Sequence, residues 1–165
     1  MTSPEAGDRI ASAAEELQAA NRDVVGFLGA LTEDQWHVVD TSEGWPVRAV
    51  AYHVADGYRI HMRWLDLLRA GRPVPGAPDD LDAENARAVA DATELSTKTV
   101  LSAVETAGRL IVAYVRDLDG DALTLSAMHG PLGGRPVSVE FLLDVAVWHV
   151  REHLRSMRLA VERRS

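Results

Sequence analysis

Four stretches of this chain repeat apolar residues at alternating steps of three and four, the spacing that gathers side chains on one face of an α-helix. The first seam is Ile10, Ala13, Leu17, Ala20, Val24, Phe27 and Leu31. The second holds Ala49, Val50, His53, Asp56, Gly57, Ile60, His61, Trp64 and Leu68. The third runs through Val100, Val104, Ala107, Ile111, Tyr114 and Leu118, and the fourth through Leu142, Ala146, His149, His153, Met157 and Ala160. Helices of about 25 residues are about 37 Å long, and amphipathic rods of that length bury their stripes by lying side by side. The expected fold is all-α, a four-helix bundle. At 165 residues the chain fills one core and is short for two, so residues 1–165 are read as a single domain.

Local signals set the expected boundaries. Ser3 as N-cap and Pro4 at the first helical position open helix one, which ends near Ala30. Thr32-Glu33-Asp34-Gln35-Trp36 reads as a capped single turn, followed by a polar connection through Ser42-Glu43-Gly44. Pro46 opens helix two, which runs to about Ala70, where Gly71 stops it. Helix three is expected from about Asp82, with a candidate break over Thr93-Glu94-Leu95-Ser96, and helix four from the Ser138 cap to about Arg163. Between them, Gly120 to Val137 spans about 18 residues, long for a bundle connection and typical of lids or binding loops. Thr124-Leu125-Ser126 and Arg135-Pro136-Val137 can flank a hairpin-like turn there, but no strand of convincing length is expected.

Helix four carries two histidines on its inward stripe. Four residues apart, His149 and His153 differ by about 40° around the axis, so both imidazoles leave one face. A buried imidazole nitrogen without a partner costs roughly 1–3 kcal/mol, so something must coordinate or hydrogen-bond each ring. A metal ion satisfies both, and His53 on the inner face of helix two supplies a third ligand. Three imidazoles with no fourth protein ligand leave a coordination position open, as catalytic zinc sites do. The chain has no cysteine, which excludes disulfides, thiolate zinc sites and a cysteine nucleophile. The competing reading is a set of core histidines bonded to backbone or acids.

Other residues near this pattern have two readings each. Asp56 is a partner that orients a ligand imidazole, or a flank-facing partner of an arginine such as Arg59. Glu152 lies one step off the stripe and is solvated or, again, an orienting acid. His149-Val150-Arg151-Glu152-His153 also fits an inverted zinc-protease motif, but that motif needs a further downstream ligand and only 12 residues follow His153. Trp45, His61 and His129 are the candidates for lining a substrate site. His61 otherwise reads as a satisfied bundle histidine, while His37 and His129 are expected exposed in loops, His129 at a pocket mouth. Trp36, Trp45, Trp64 and Trp148 are expected to pack the core or close the bundle end. Gly57 costs roughly 1 kcal/mol of helix propensity, so close packing or room for a ligand should explain it.

Charge and hydropathy remove other classes. A net charge of −8 argues against binding a phosphate backbone, which needs a basic face. No apolar run approaches the roughly 18 residues of a membrane span. The segment Met1-Thr2-Ser3-Pro4-Glu5 lacks the basic and apolar regions of a secretory signal, so a cytoplasmic protein is expected, monomeric or homodimeric.

Three segments carry a family likeness: Leu31-Thr32-Glu33-Asp34-Gln35-Trp36; Gly44-Trp45-Pro46-Val47-Arg48 with His53; and Trp148-His149-Val150-Arg151-Glu152-His153-Leu154. Together they resemble the DinB/YfiT-like metalloenzymes, with the closest likeness to the mycothiol-dependent maleylpyruvate isomerase N-terminal group and related thiol S-transferases. The resemblance implies a four-helix bundle holding a divalent metal, zinc or else nickel or iron, on His53, His149 and His153. That isomerase has a glutamate where this chain has His149 and carries a second domain, so the likeness leans toward stand-alone three-histidine transferases. It implies a metal-dependent transferase that activates mycothiol or a similar small thiol for attack on an electrophile. Two alternatives stand beside it: an isomerase, lyase, cyclase or hydrolase that uses no thiol, and a non-catalytic metal-binding stress protein.

Overall fold

The four apolar seams close on one another as helices. A computed structural model describes residues 4–39 and 41–164; Ser3, the expected first cap, lies outside them. The elements are α1 (Pro4–Gly29), α2 (Glu33–Trp36), α3 (Val47–Arg69), α4 (Pro78–Thr93), α5 (Thr97–Arg116), β1 (Ser126–His129), β2 (Arg135–Ser138) and α6 (Val139–Glu162). The long helices α1, α3, α5 and α6 form a ring in which α1 and α3 each pack against both α5 and α6. Leu17, Leu65, Leu68, Ile111, Leu142, Leu143 and Met157 are fully buried at its centre. The chain is therefore an all-α four-helix bundle with a small hairpin attached.

The caps form as the residue types require. Thr32 accepts a hydrogen bond from the Gln35 N–H while the Gln35 side chain accepts from the Thr32 N–H, a reciprocal capping box. Ser138 accepts from the Phe141 N–H at 3.1 Å and opens α6. Gly71, at φ +65°, takes the left-handed conformation that ends α3.

Two expectations need correction. The third helix is two helices: Ser96 accepts from the Thr99 N–H and restarts the chain as α5, so the candidate break is a complete one. Only α5 joins the ring, while α4 begins at Pro78 rather than Asp82 and lies outside the ring against α3. The long connection does contain strands. β1 and β2 pair antiparallel from Ser126↔Ser138 to His129↔Arg135, turning through Gly133 and Gly134 at positive φ.

That hairpin is tied to the loop between α3 and α4. The Val74 N–H donates to the Met128 carbonyl at 2.9 Å and the Gly130 N–H to the Val74 carbonyl at 3.0 Å. A Cβ on Gly130 would sit 1.9 Å from the Gly76 carbonyl oxygen, so glycine is what lets the two backbones meet. Among the described residues, no helix is long and apolar enough to cross a membrane.

Candidate metal centre

Helices α3 and α6 are neighbours in the ring, and their inward stripes bring His53 to His149 and His153. The three ring centroids lie 4.9, 4.8 and 4.4 Å apart in pairs. One nitrogen from each ring can be chosen so that all three lie within 4.8 Å of one another. Nε2 of His149 and Nε2 of His53 are 3.0 Å apart. Two nitrogens bound tetrahedrally to one zinc ion would be roughly 3.4 Å apart, so small side-chain adjustments bring the cluster onto an ion.

The third imidazole is oriented by an acid that helix periodicity does not reveal. His153 donates from Nδ1 to Oε1 of Glu43 at 2.8 Å, which makes Nε2 the nitrogen left to meet a metal. Ser156, one turn below on α6, donates to Oε2 of Glu43 at 2.6 Å and accepts from the Ser42 N–H and hydroxyl. Burial pushes the Glu43 carboxyl up, but the hydrogen bonds from His153 and Ser156 and its own backbone outweigh it and hold it at about 2. The turn that carries Glu43 is fixed by Thr41, whose hydroxyl donates to the Trp45 carbonyl and accepts from the Trp45 N–H. Gly44 completes that turn at φ +72°.

The other two imidazoles are held by packing. Nδ1 of His53 and Nδ1 of His149 are buried and have no hydrogen-bond partner. Trp45 stands edge-on to His53, with ring centroids 5.5 Å apart. Gly57 supplies the space for His149: a Cβ there would lie 2.4 Å from the imidazole Cε1. Close packing against a candidate ligand thus explains the helix-interior glycine. Burial pushes His53 down to about 4, with nearby His153 adding to the effect, and burial holds His149 well below the ordinary imidazole range. Both rings are neutral at physiological pH, the state in which imidazole binds a cation. Three converging imidazoles, His53 and His149 neutral and His153 backed by a carboxylate, make a donor set that fits a divalent ion of the zinc type.

A cavity of about 330 Å³ adjoins the cluster, walled by Trp45, Ile60, Trp64, Leu81, Leu132, Val145 and Trp148 among others. Glu43, His61 and Asn85 also reach it. Leu132 belongs to the hairpin segment, so the long connection does contribute a wall.

Several expected roles change. Asp56 does not reach the cluster; it faces the α3–α4 flank among Arg63, Glu84, Arg87 and Asp91, with Arg59 as a favourable charge, because it lies to the side of the stripe. Glu152 turns outward and is bound by Arg155, which removes the carboxylate that the inverted protease motif needs. Trp148 is 63% exposed at the cavity rim instead of packed in the core, being a third of a turn away from His149. His129 is fully buried, not exposed: it packs edge-on to Trp64 at 4.4 Å and accepts at Nδ1 from the Leu132 N–H. His61 and Trp45 line the cavity, whereas His129 lies behind Trp64. His37 is exposed as expected and pairs with Glu33.

The family model described as the DinB superfamily matches residues 16–157. Among solved structures, the chain is similar to YfiT from Bacillus subtilis, described as a probable metal-dependent hydrolase with an unusual four-helix bundle topology. The TM-score is 0.78 at 19% identity, over 99% of this chain and 90% of that one. No curated protein sequence matches. Neither match singles out the maleylpyruvate isomerase group.

Burying neutral imidazoles makes the metal-free protein acid-sensitive. His53 and His61 are both held at about 4, below the value of about 6.5 in an unfolded chain, so the unfolded state takes up protons first. Their contribution to stability is present above pH about 6.5 and is lost as pH falls toward 4, at most about 3 kcal/mol for each ring. Urea unfolding of the metal-free protein between pH 7 and 4 should show that decline, and a flat profile would contradict it.

Proposed function

The chain belongs to the DinB superfamily, and from that membership we propose that His53, His149 and His153 hold one divalent metal ion in an enzyme acting on a small, largely apolar molecule. The observation that carries the reading is the convergence of three imidazoles on the wall of a cavity large enough for such a molecule. An ion held there would supply Lewis acidity and lower the pKa of a thiol or a water.

The chain's own residues prepare that chemistry. Glu43 fixes the tautomer of His153 and adds negative charge behind it. Gly57 and Trp45 keep the other two rings from turning. Trp45, Trp64 and Leu132 make the cavity wall apolar, which keeps water scarce around the reacting atoms.

Between a thiol transferase and a hydrolase, the carboxylates favour the transferase. A metallohydrolase commonly uses a free carboxylate to take the proton from water. Among the described residues lining this cavity, Glu43 is the one carboxylate, and both of its oxygens are engaged by His153 and Ser156. A thiol of pKa about 8.5 loses its proton readily beside a dication and needs no such base. With no cysteine in the chain, that thiol comes from a co-substrate, mycothiol or a similar small thiol. The second reading, hydrolysis, is favoured by the description of YfiT alone.

Two variants and one assay test this. Glu43→Gln keeps the shape but loses the charge behind His153, and should weaken zinc binding about 10- to 100-fold in a chelator competition. Gly57→Ala should gain roughly 1 kcal/mol of helix propensity yet weaken zinc binding at least as much, because the His149 ring must move. Zinc-loaded protein should conjugate monochlorobimane to mycothiol or bacillithiol at a rate needing both metal and thiol. Metal-dependent cleavage of activated esters with no thiol dependence would replace the transferase by the hydrolase.

A further inference from the structure

His61 is buried at 4% exposure, and only one of its two ring nitrogens is satisfied. Nδ1 lies 2.7 Å from the carbonyl of Gly57, one turn back on α3, and must be the donor because a carbonyl can only accept. The neutral ring therefore carries no proton on Nε2, which has no partner in the protein. With Nδ1 turned back to its own helix, Nε2 is on the opposite side of a ring that lines the cavity. Across that cavity, from α4, Asn85 presents a side-chain oxygen that is also buried and unpartnered. Two unsatisfied polar groups in a mostly apolar chamber are unfavourable until a ligand or water meets them.

Building on the metal-site reading, we propose that His61 and Asn85 form a polar subsite that takes a hydroxyl or carboxamide group of the substrate. The lone pair of His61 requires an O–H or N–H donor. The amide of Asn85 can turn either its oxygen or its nitrogen inward, so it matches a group that both donates and accepts. The His61 ring is 5.5 Å from that of His149, so the recognised group sits only a few bonds from the atom that reacts at the three-histidine cluster. Among small apolar molecules, those carrying such a group close to the reacting centre are selected, because an analogue without it leaves both polar groups unpaired.

The probes are benzyl alcohol and benzamide, each beside a partner lacking the donor, benzyl methyl ether and N,N-dimethylbenzamide. Binding is measured by calorimetry on metal-free and zinc-loaded protein, with zinc content determined on the same samples. The donor-bearing probe of at least one pair should bind about tenfold tighter than its partner in both forms, and the alcohol and amide arms identify which group is preferred. The preference should vanish in His61→Leu and return in His61→Gln, which restores an acceptor. Should His61→Leu fail to fold, Asn85→Leu carries the test and should reduce the preference several-fold. Equal binding within both pairs, an unchanged preference in the variants, or no binding of any probe at millimolar concentration overturns the subsite. Zinc bound at about one per chain in those samples would leave the metal reading standing while the subsite falls, and its absence would do the reverse where the donor preference persists.

Discussion

Three imidazoles must share the apolar seam between two helices, and most of the distinctive structure follows from that constraint. Burial removes water from His53 and His149 and keeps both neutral, with His53 held at about 4. A neutral imidazole in such a place still has a donor and an acceptor to satisfy. The protein meets that demand unevenly. His153 has Glu43, His61 has the Gly57 carbonyl, and His53 and His149 are positioned by Trp45 and Gly57 without a hydrogen bond on Nδ1. Their Nε2 atoms instead face each other across 3.0 Å, the arrangement that a shared cation would occupy best.

The same constraint reaches outside the helices. Glu43 arrives from the connection before α3, so a loop has to be rigid where a bundle loop is usually free to vary. Thr41, Gly44 and the hydroxyls of Ser42 and Ser156 supply that rigidity, tying the turn to α6 through a network in which every hydroxyl has a partner. On the other side, the hairpin is anchored through Val74 and Gly130 and brings Leu132 to the cavity wall. Connections thus complete what the ring of helices begins: one supplies the acid behind the histidines, the other closes the chamber beside them.

Apolar periodicity made the four long helices and the inward turn of His53, His149 and His153 legible in the sequence, because a helix face is a simple function of spacing. It could not find Glu43. Helix periodicity points to Asp56 and Glu152 as the acids near the stripes, and both face away from the cluster. The available signal was an acid in the short Ser-Glu-Gly-Trp-Pro turn leading directly into the helix of His53, a position where a side chain can fold back over the bundle end. His129 differs from expectation for a related reason: composition marks residues 120–137 as loop, but the pairing of β1 with β2 and the packing on Trp64 bury the ring. The split between α4 and α5 was signalled by Ser96 as a cap, and the tertiary outcome, α4 leaving the ring, was not. Trp148 shows the cost of assuming that tryptophan is buried when its helix position points outward.

The most direct measurement is X-ray absorption on protein purified without a histidine tag and loaded with one equivalent of zinc. Three-histidine ligation predicts about one ion per chain, surrounded by nitrogen at about 2.0–2.1 Å with the outer-shell scattering of imidazole rings, and with part of that signal lost in His53→Ala and in His153→Ala. A chain that stays empty after zinc or nickel is added, or a bound ion with oxygen ligands that neither substitution disturbs, would contradict the account.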